Sequence, residues 1–77
     1  MEQKIIIAKH NNRALFLYRK EWSEFVIETN FVIATLQNKD ITKHIGQQVD
    51  DWSFGHYFEN DLNTALDTFY DDLIRSE

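Results

Sequence analysis

Three histidines, His10, His44 and His56, are the first candidates for chemistry, because imidazole binds metals and moves protons near neutral pH. Glu59, or Asp50 with Asp51, would have to complete a ligand set. No HxH or HExxH pair occurs, however, and His56-x-x-Glu59 spans an expected strand end. His10 reads instead as a turn residue and His56 as a partly buried neighbour of aromatic rings. Nucleophilic catalysis would fall to Ser23, Ser53, Ser76 or a threonine, and none stands in a glycine-flanked elbow. Asp50-Asp51 and Asp71-Asp72 are adjacent acids in polar segments and read as solvated. Gly46 and Gly55 are isolated, so no glycine-rich loop is available to cradle phosphate. With no cysteine, thiolate chemistry, disulfides and cysteine-ligated zinc are excluded together. The expectation is a chain with no metal, no cofactor and no enzymatic activity.

Recognition chemistry is better represented. Among the aromatic residues, Phe16, Phe31, Phe54, Phe58, Phe69 and Tyr70 fall at periodic positions and are expected in the core. Trp22, Trp52 and Tyr57 border polar or charged residues, which marks them as half-exposed interface anchors. A second candidate surface is the polar face of the C-terminal segment, with Asp67, Asp71 and Asp72. Residues 1–45 hold seven of the eight cations against five acids, a net of +2, whereas residues 46–77 hold Arg75 alone against eight acids, a net of −7. Such an end repels a phosphate backbone, and the cations elsewhere are scattered, so direct nucleic-acid binding is disfavoured and a basic protein surface is the expected partner. In size and charge alone the chain resembles the small acidic inhibitors of restriction or CRISPR systems encoded by phages and plasmids.

These side chains must be positioned by a few short elements. Lys4 to Lys9 and Ala14 to Arg19 flank His10-Asn11-Asn12-Arg13, a hairpin pattern with Asn11-Asn12 as a two-residue turn, since asparagine tolerates positive φ. Regular pairing would set Ala8 opposite Leu15, Ile7 opposite Phe16, Ile6 opposite Leu17 and Ile5 opposite Tyr18. One face would then carry Ile5, Ile7, Phe16 and Tyr18, and the other Ile6, Ala8, Leu15 and Leu17. Both faces are apolar, so each needs a cover. Glu24 to Leu36 is rich in β-branched and aromatic residues and reads as strand, either continuous or broken at Thr29-Asn30. Gln37 to Asp51 reads as a connection with a helical turn around Ile41 to Ile45. In Trp52 to Phe58, simple alternation puts Trp52, Phe54, His56 and Phe58 on one face. Gly55 suggests a bulge, or the close approach of a ring or backbone. From Leu62, apolar residues at Ala65, Leu66, Phe69, Tyr70, Leu73 and Ile74 follow helical spacing, with Asn60 or Asp61 able to cap the start.

The predicted architecture is one α+β domain over residues 1–77. A small two-layer arrangement is expected, in which an antiparallel sheet of three to four strands, beginning with an N-terminal β-hairpin, is covered by one C-terminal amphipathic helix. The second sheet face must meet either the connection before Trp52 or a second copy, and a symmetric homodimer is the expected answer for so small a core. No apolar run approaches the roughly 18 residues of a membrane span, and Ile5-Ile6-Ile7-Ala8 is too short for a signal peptide, so the expected location is cytoplasmic. The function expected is a bacterial or phage protein–protein interaction module using Trp22, Trp52, Tyr57 and the acidic helix face. The alternative is a small-molecule sensor or minor enzyme with a pocket between the helix and the Trp52–Phe58 strand, lined by His56.

Overall fold

The computed structural model describes residues 2–76. Four strands, β1 (Glu2–His10), β2 (Arg13–Glu21), β3 (Ile27–Leu36) and β4 (Trp52–Tyr57), form an antiparallel sheet in the order β1-β2-β3-β4, followed by one helix, α1 (Leu62–Ser76). This is the expected small α+β domain. Asn11 takes a positive φ of 54° at the hairpin tip, with His10 opposite Arg13. β3 is continuous through Thr29-Asn30 and starts at Ile27, because Trp22 to Val26 turns, with the Trp22 N–H donating to the Val26 carbonyl. No helix among the described residues is long and apolar enough to cross a membrane.

The β1–β2 register departs from simple alternation. Ala8 lies opposite Leu15 as expected, but Ile6 then pairs with Phe16 and Ile5 with Leu17, so Ile7 is an extra residue in a bulge. A bulge moves every residue before it to the other face. Ile6 therefore joins Ala14, Phe16, Val32, Ala34, Leu36 and Val49 in one buried cluster, while Ile7 and Ala8 both pack with Leu15, Ile33, Ala65 and Phe69 in the other. The second cluster is the interface with α1. Only Ala65, Leu66, Phe69 and Leu73 of the helix belong to it, whereas Tyr70 and Ile74, expected in the stripe, are exposed. Phe54 is likewise no core residue: it is 85% exposed.

The Phe16 face is covered by the connection between β3 and β4. After a short 3-10 turn at Asn38–Asp40, earlier than the turn expected at Ile41 to Ile45, this strap reaches the outer edge of β1. There the Ile6 N–H donates to the Gln47 carbonyl (3.0 Å), the Ile6 carbonyl accepts from Gly46 N–H (2.7 Å), and Val49 N–H donates to the Lys4 carbonyl (2.9 Å). Gly46 sits at φ +93°, a conformation that side-chain-bearing residues rarely adopt. Val49 then inserts into the cluster, and three residues later Trp52 opens β4 on the opposite side of the sheet. Three extended residues span about 10 Å, whereas β1 and β4 of a flat four-stranded sheet would stand about 14 Å apart. The sheet is thus curled around the Phe16 face. The strap covers part of the face whose exposure is one ground for expecting a dimer; the other ground, the small size of the core, it leaves as it was.

Asp40 anchors the strap. It is 1% exposed, its Oδ1 pairs with Lys43 Nζ at 3.1 Å, and its Oδ2 has no hydrogen-bond partner among the described residues. Lys43 Nζ also donates to the Gln48 carbonyl (2.7 Å), and Lys9 Nζ donates to the carbonyls of Ile41 and Lys43. At the far end of the chain, Asp61 caps α1: its Oδ1 accepts from Thr64 N–H (3.1 Å) and its Oδ2 from Thr64 Oγ1 (2.7 Å).

Two outcomes follow for stability. Asp40→Ala removes the carboxylate from the partly buried Lys43 ammonium, leaving it the Gln48 carbonyl, and should cost about 2 kcal/mol, with hydrogen exchange at Gly46 and Val49 accelerating before exchange in β2 or β3. The two Thr64 bonds lower the Asp61 pKa, the side-chain bond first. Its stabilisation is therefore present above the ordinary aspartate range and is lost as pH falls through the lower folded value. Thermal melts of Asp61→Asn and the parent chain should converge in acid and separate toward neutral pH; parallel curves would refute the preference of the cap for the ionised carboxylate.

Candidate functional site

Trp52 is set apart from Trp22 and Tyr57: it packs against the core, whereas the other two are exposed. A register shift between Ile33 and Thr35 places Tyr57 opposite Val32, His56 opposite Ile33, Ser53 opposite Thr35 and Trp52 opposite Leu36. The residues between Ser53 and His56 form the bulge, with Phe54 at φ +56°. The expected all-aromatic face is consequently split. Trp52 and Tyr57 lie on the Phe16 face with ring centroids 6.3 Å apart, whereas His56 and Phe58 stack at 4.7 Å on the helix side. Trp52 is half-buried, 4.7 Å from Phe16 and 5.8 Å from Tyr18, with the Lys4 ammonium 5.1 Å from its ring centroid. It is a core residue more than a contact residue. Gly55 makes this possible, since a Cβ there would lie 2.8 Å from Trp52 Nε1 and 3.2 Å from Tyr57 Cε1.

Trp22 and Tyr57 remain 60% and 54% exposed. They line a common groove of about 920 Å³ on the uncovered half of the Phe16 face. Tyr18 and Asn30, paired across β2 and β3, form its floor, and Lys20, Glu28 and Glu59 bring charge to its walls. The Trp22 ring is held from both sides: Lys20 Nζ sits 4.0 Å from its centroid, and its Nε1 donates to Glu28 Oε2 at 3.1 Å. Lys20 is paired in turn with Glu2 at 3.2 Å. Partial burial, then a hydrogen bond to Glu2, raise the Tyr18 hydroxyl pKa, while Lys20 and then Tyr18 hold the Glu2 carboxyl below its usual range. Ile27 lines the groove at the β2–β3 turn, and beyond it Phe25 and Val26 expose further apolar surface. These groups offer aromatic faces, carboxylate acceptors and apolar contact, which is the chemistry of binding.

The other expected surface lies on the opposite side of the sheet. Asp67 and Asp71 are exposed on α1, one turn apart, and exposed Tyr70 and Ile74 alternate with them along the helix. Asp72 is engaged instead, with Oδ2 3.8 Å from Arg13 Nη2, while Arg13 Nη1 donates to Thr35 Oγ1 at 3.1 Å. This pair ties the helix end to β2 beside a smaller cavity of about 320 Å³, floored by Phe69 and Leu73 and rimmed by His10, Arg13 and Arg75. His56 lines neither cavity, and the expected pocket between α1 and β4 is not where either is found. Among the described residues, no three His, Asp or Glu side chains converge in a way that could hold a metal ion.

The exposure of Trp22 and Tyr57 is readable from their polar neighbours. Tyr18, Asn30 and Glu28 are not singled out by the sequence, because they join the groove only through the β2–β3 register. Comparison of the chain with protein-family models, curated proteins and solved structures finds no match, so its function must be argued from its own geometry.

Gly55→Ala tests how the bulge sets this site. The added methyl must displace Trp52 or Tyr57, so the variant should lose about 1–3 kcal/mol and show a red-shifted tryptophan emission. An unchanged melt and spectrum would mean that the rings do not pack against Gly55.

Proposed function

We propose that this chain is a non-enzymatic protein-interaction module that binds a basic partner surface through the Trp22–Tyr57 groove. The observation that carries this reading is the pair of exposed rings, Trp22 and Tyr57, opening onto one concave surface whose walls include Glu28 and Glu59. Large rings held in fixed orientations lose little entropy on binding, and Trp22 is already fixed by Lys20 and Glu28. Acidic walls favour a cationic partner and speed encounter with it, which fits the net charge of −5. The acidic helix face is the weaker candidate because Asp72 is occupied by Arg13, leaving Asp67 and Asp71. The module would work in the cytoplasm, consistent with a chain that contains no cysteine.

A pulldown from nuclease-treated native lysate, read by mass spectrometry, separates these surfaces. Combining Trp22→Ala with Tyr57→Ser should weaken capture of a basic protein about thirtyfold, while Asp67→Lys with Asp71→Lys leaves it within a few-fold. Loss confined to the aspartate variant would move the contact to α1. Equal capture by both variants and the parent would remove both surfaces as the contact, and a parent chain that captures no basic protein would remove the interaction reading.

A further inference from the structure

We propose that the β3 edge at Ile27 and Thr29 receives an extended segment of a partner protein bearing lysine or arginine, which adds to the sheet where β4 leaves it. This deepens the interaction reading above and rests on it. The bonding parity of β3 is fixed at both ends: Trp22 N–H donates to the Val26 carbonyl and Leu36 N–H to the Asn12 carbonyl. Hydrogen-bonded pairs alternate along an antiparallel ladder, so Glu28, Asn30, Val32 and Ala34 are the residues bonded to β2. The odd-numbered residues direct their N–H and C=O groups to the other side. Phe31 spends its pair on the chain following β4: its N–H donates to the Glu59 carbonyl (2.7 Å) and its carbonyl accepts from Phe58 N–H (2.8 Å). Glu59 then turns at φ +55° and the chain departs into the Asp61 cap. Thr29 and Ile27 come next along the edge, and no backbone partner for them is found among the described residues.

An open edge is a template for another strand, and most proteins keep such edges short, charged or covered. This one coincides with the groove, because Ile27, Glu28, Thr29 and Asn30 line it together with Trp22 and Tyr57. A strand laid along the edge would form main-chain bonds to Ile27 and Thr29 and direct alternate side chains over the groove, the division between affinity and specificity typical of strand addition. Charge selects the occupant. Glu28 and Glu59 flank the edge, and the nearby cation, Lys20, is already paired with Glu2. A second copy would oppose these carboxylates with their own equivalents at a net charge of −5 per chain, whereas a lysine- or arginine-bearing segment would neutralise them.

The test uses the 15N-labelled chain with a capped heptapeptide of alternating lysine and valine, and its glutamate–valine counterpart. At saturation the lysine peptide should slow amide exchange at Ile27 and Thr29 about tenfold or more, and the glutamate peptide should not. Thr29→Pro deletes one outward N–H and leaves the β2 ladder intact, because odd residues do not bond to β2. It should abolish both the peptide protection and capture of the partner that depends on Trp22 and Tyr57. Absence of protection at millimolar lysine peptide overturns strand addition. So does partner capture that survives Thr29→Pro while failing in Trp22→Ala, and in that case the groove reading stands by itself. Light scattering in which Thr29→Pro converts a dimer to a monomer would assign the edge to a second copy and overturn the partner-segment proposal. Should Thr29→Pro fail to fold, lysine peptides N-methylated on alternate amides replace it: one methylation pattern must lose binding and the other keep it, and equal binding by both overturns the proposal.

Discussion

A sheet that is apolar on both faces but accompanied by a single helix is the constraint on which this structure depends. Leu15 and Ile33 face α1, while Phe16, Val32 and Ala34 face away from it, and water on that side would forfeit much of the burial the chain can achieve. The strap between β3 and β4 resolves this by bonding to β1 and inserting Val49 beneath the sheet, where Trp52 at the start of β4 joins it. It is too short to cover the whole face. The half it covers is core, and the half beyond Tyr18 and Tyr57 is the groove, so the candidate site exists because the cover stops there.

Two bulges divide the residues between these roles. Ile7 on β1 sends Ile6 to the strap side, and the Phe54-Gly55 bulge on β4 brings Trp52 and Tyr57 to one face while expelling Phe54 into solvent. Without the second bulge Tyr57 would point toward the helix and the groove would lose an aromatic wall. Gly55 is required there by space, as the Trp52 ring occupies the position its side chain would need.

Much of this architecture was legible in the residues and some of it was not, for identifiable reasons. Asn11-Asn12 and the 3.6-residue spacing from Leu62 are local patterns with local causes, so the hairpin turn and α1 were readable. Strand faces were readable only as far as the first bulge, because one extra residue inverts the alternation on which such readings depend. Val49 and Asp40 are lone buried residues within a polar connection, a pattern with no period, and their burial is decided by what the strap lies against. Likewise, the exposure of Trp22 and Tyr57 could be inferred from neighbouring residues, but their meeting with Tyr18 and the open edge of β3 depends on β3 being longer than β4.

The strap also has a kinetic meaning. The three-stranded meander from β1 to β3 is joined by tight turns, so its pairings close small loops and can form early. The bonds between Ile6 and Gly46 or Gln47 join positions roughly forty residues apart, and such distant closures reward the chain only after most of its conformational entropy has been surrendered. During synthesis β1 to β3 emerge first and must wait, with the Phe16 face bare, for Val49 and Trp52 to arrive. The interval between those events is when this chain is most exposed to aggregation, and its length is set by the speed of translation as much as by the sequence.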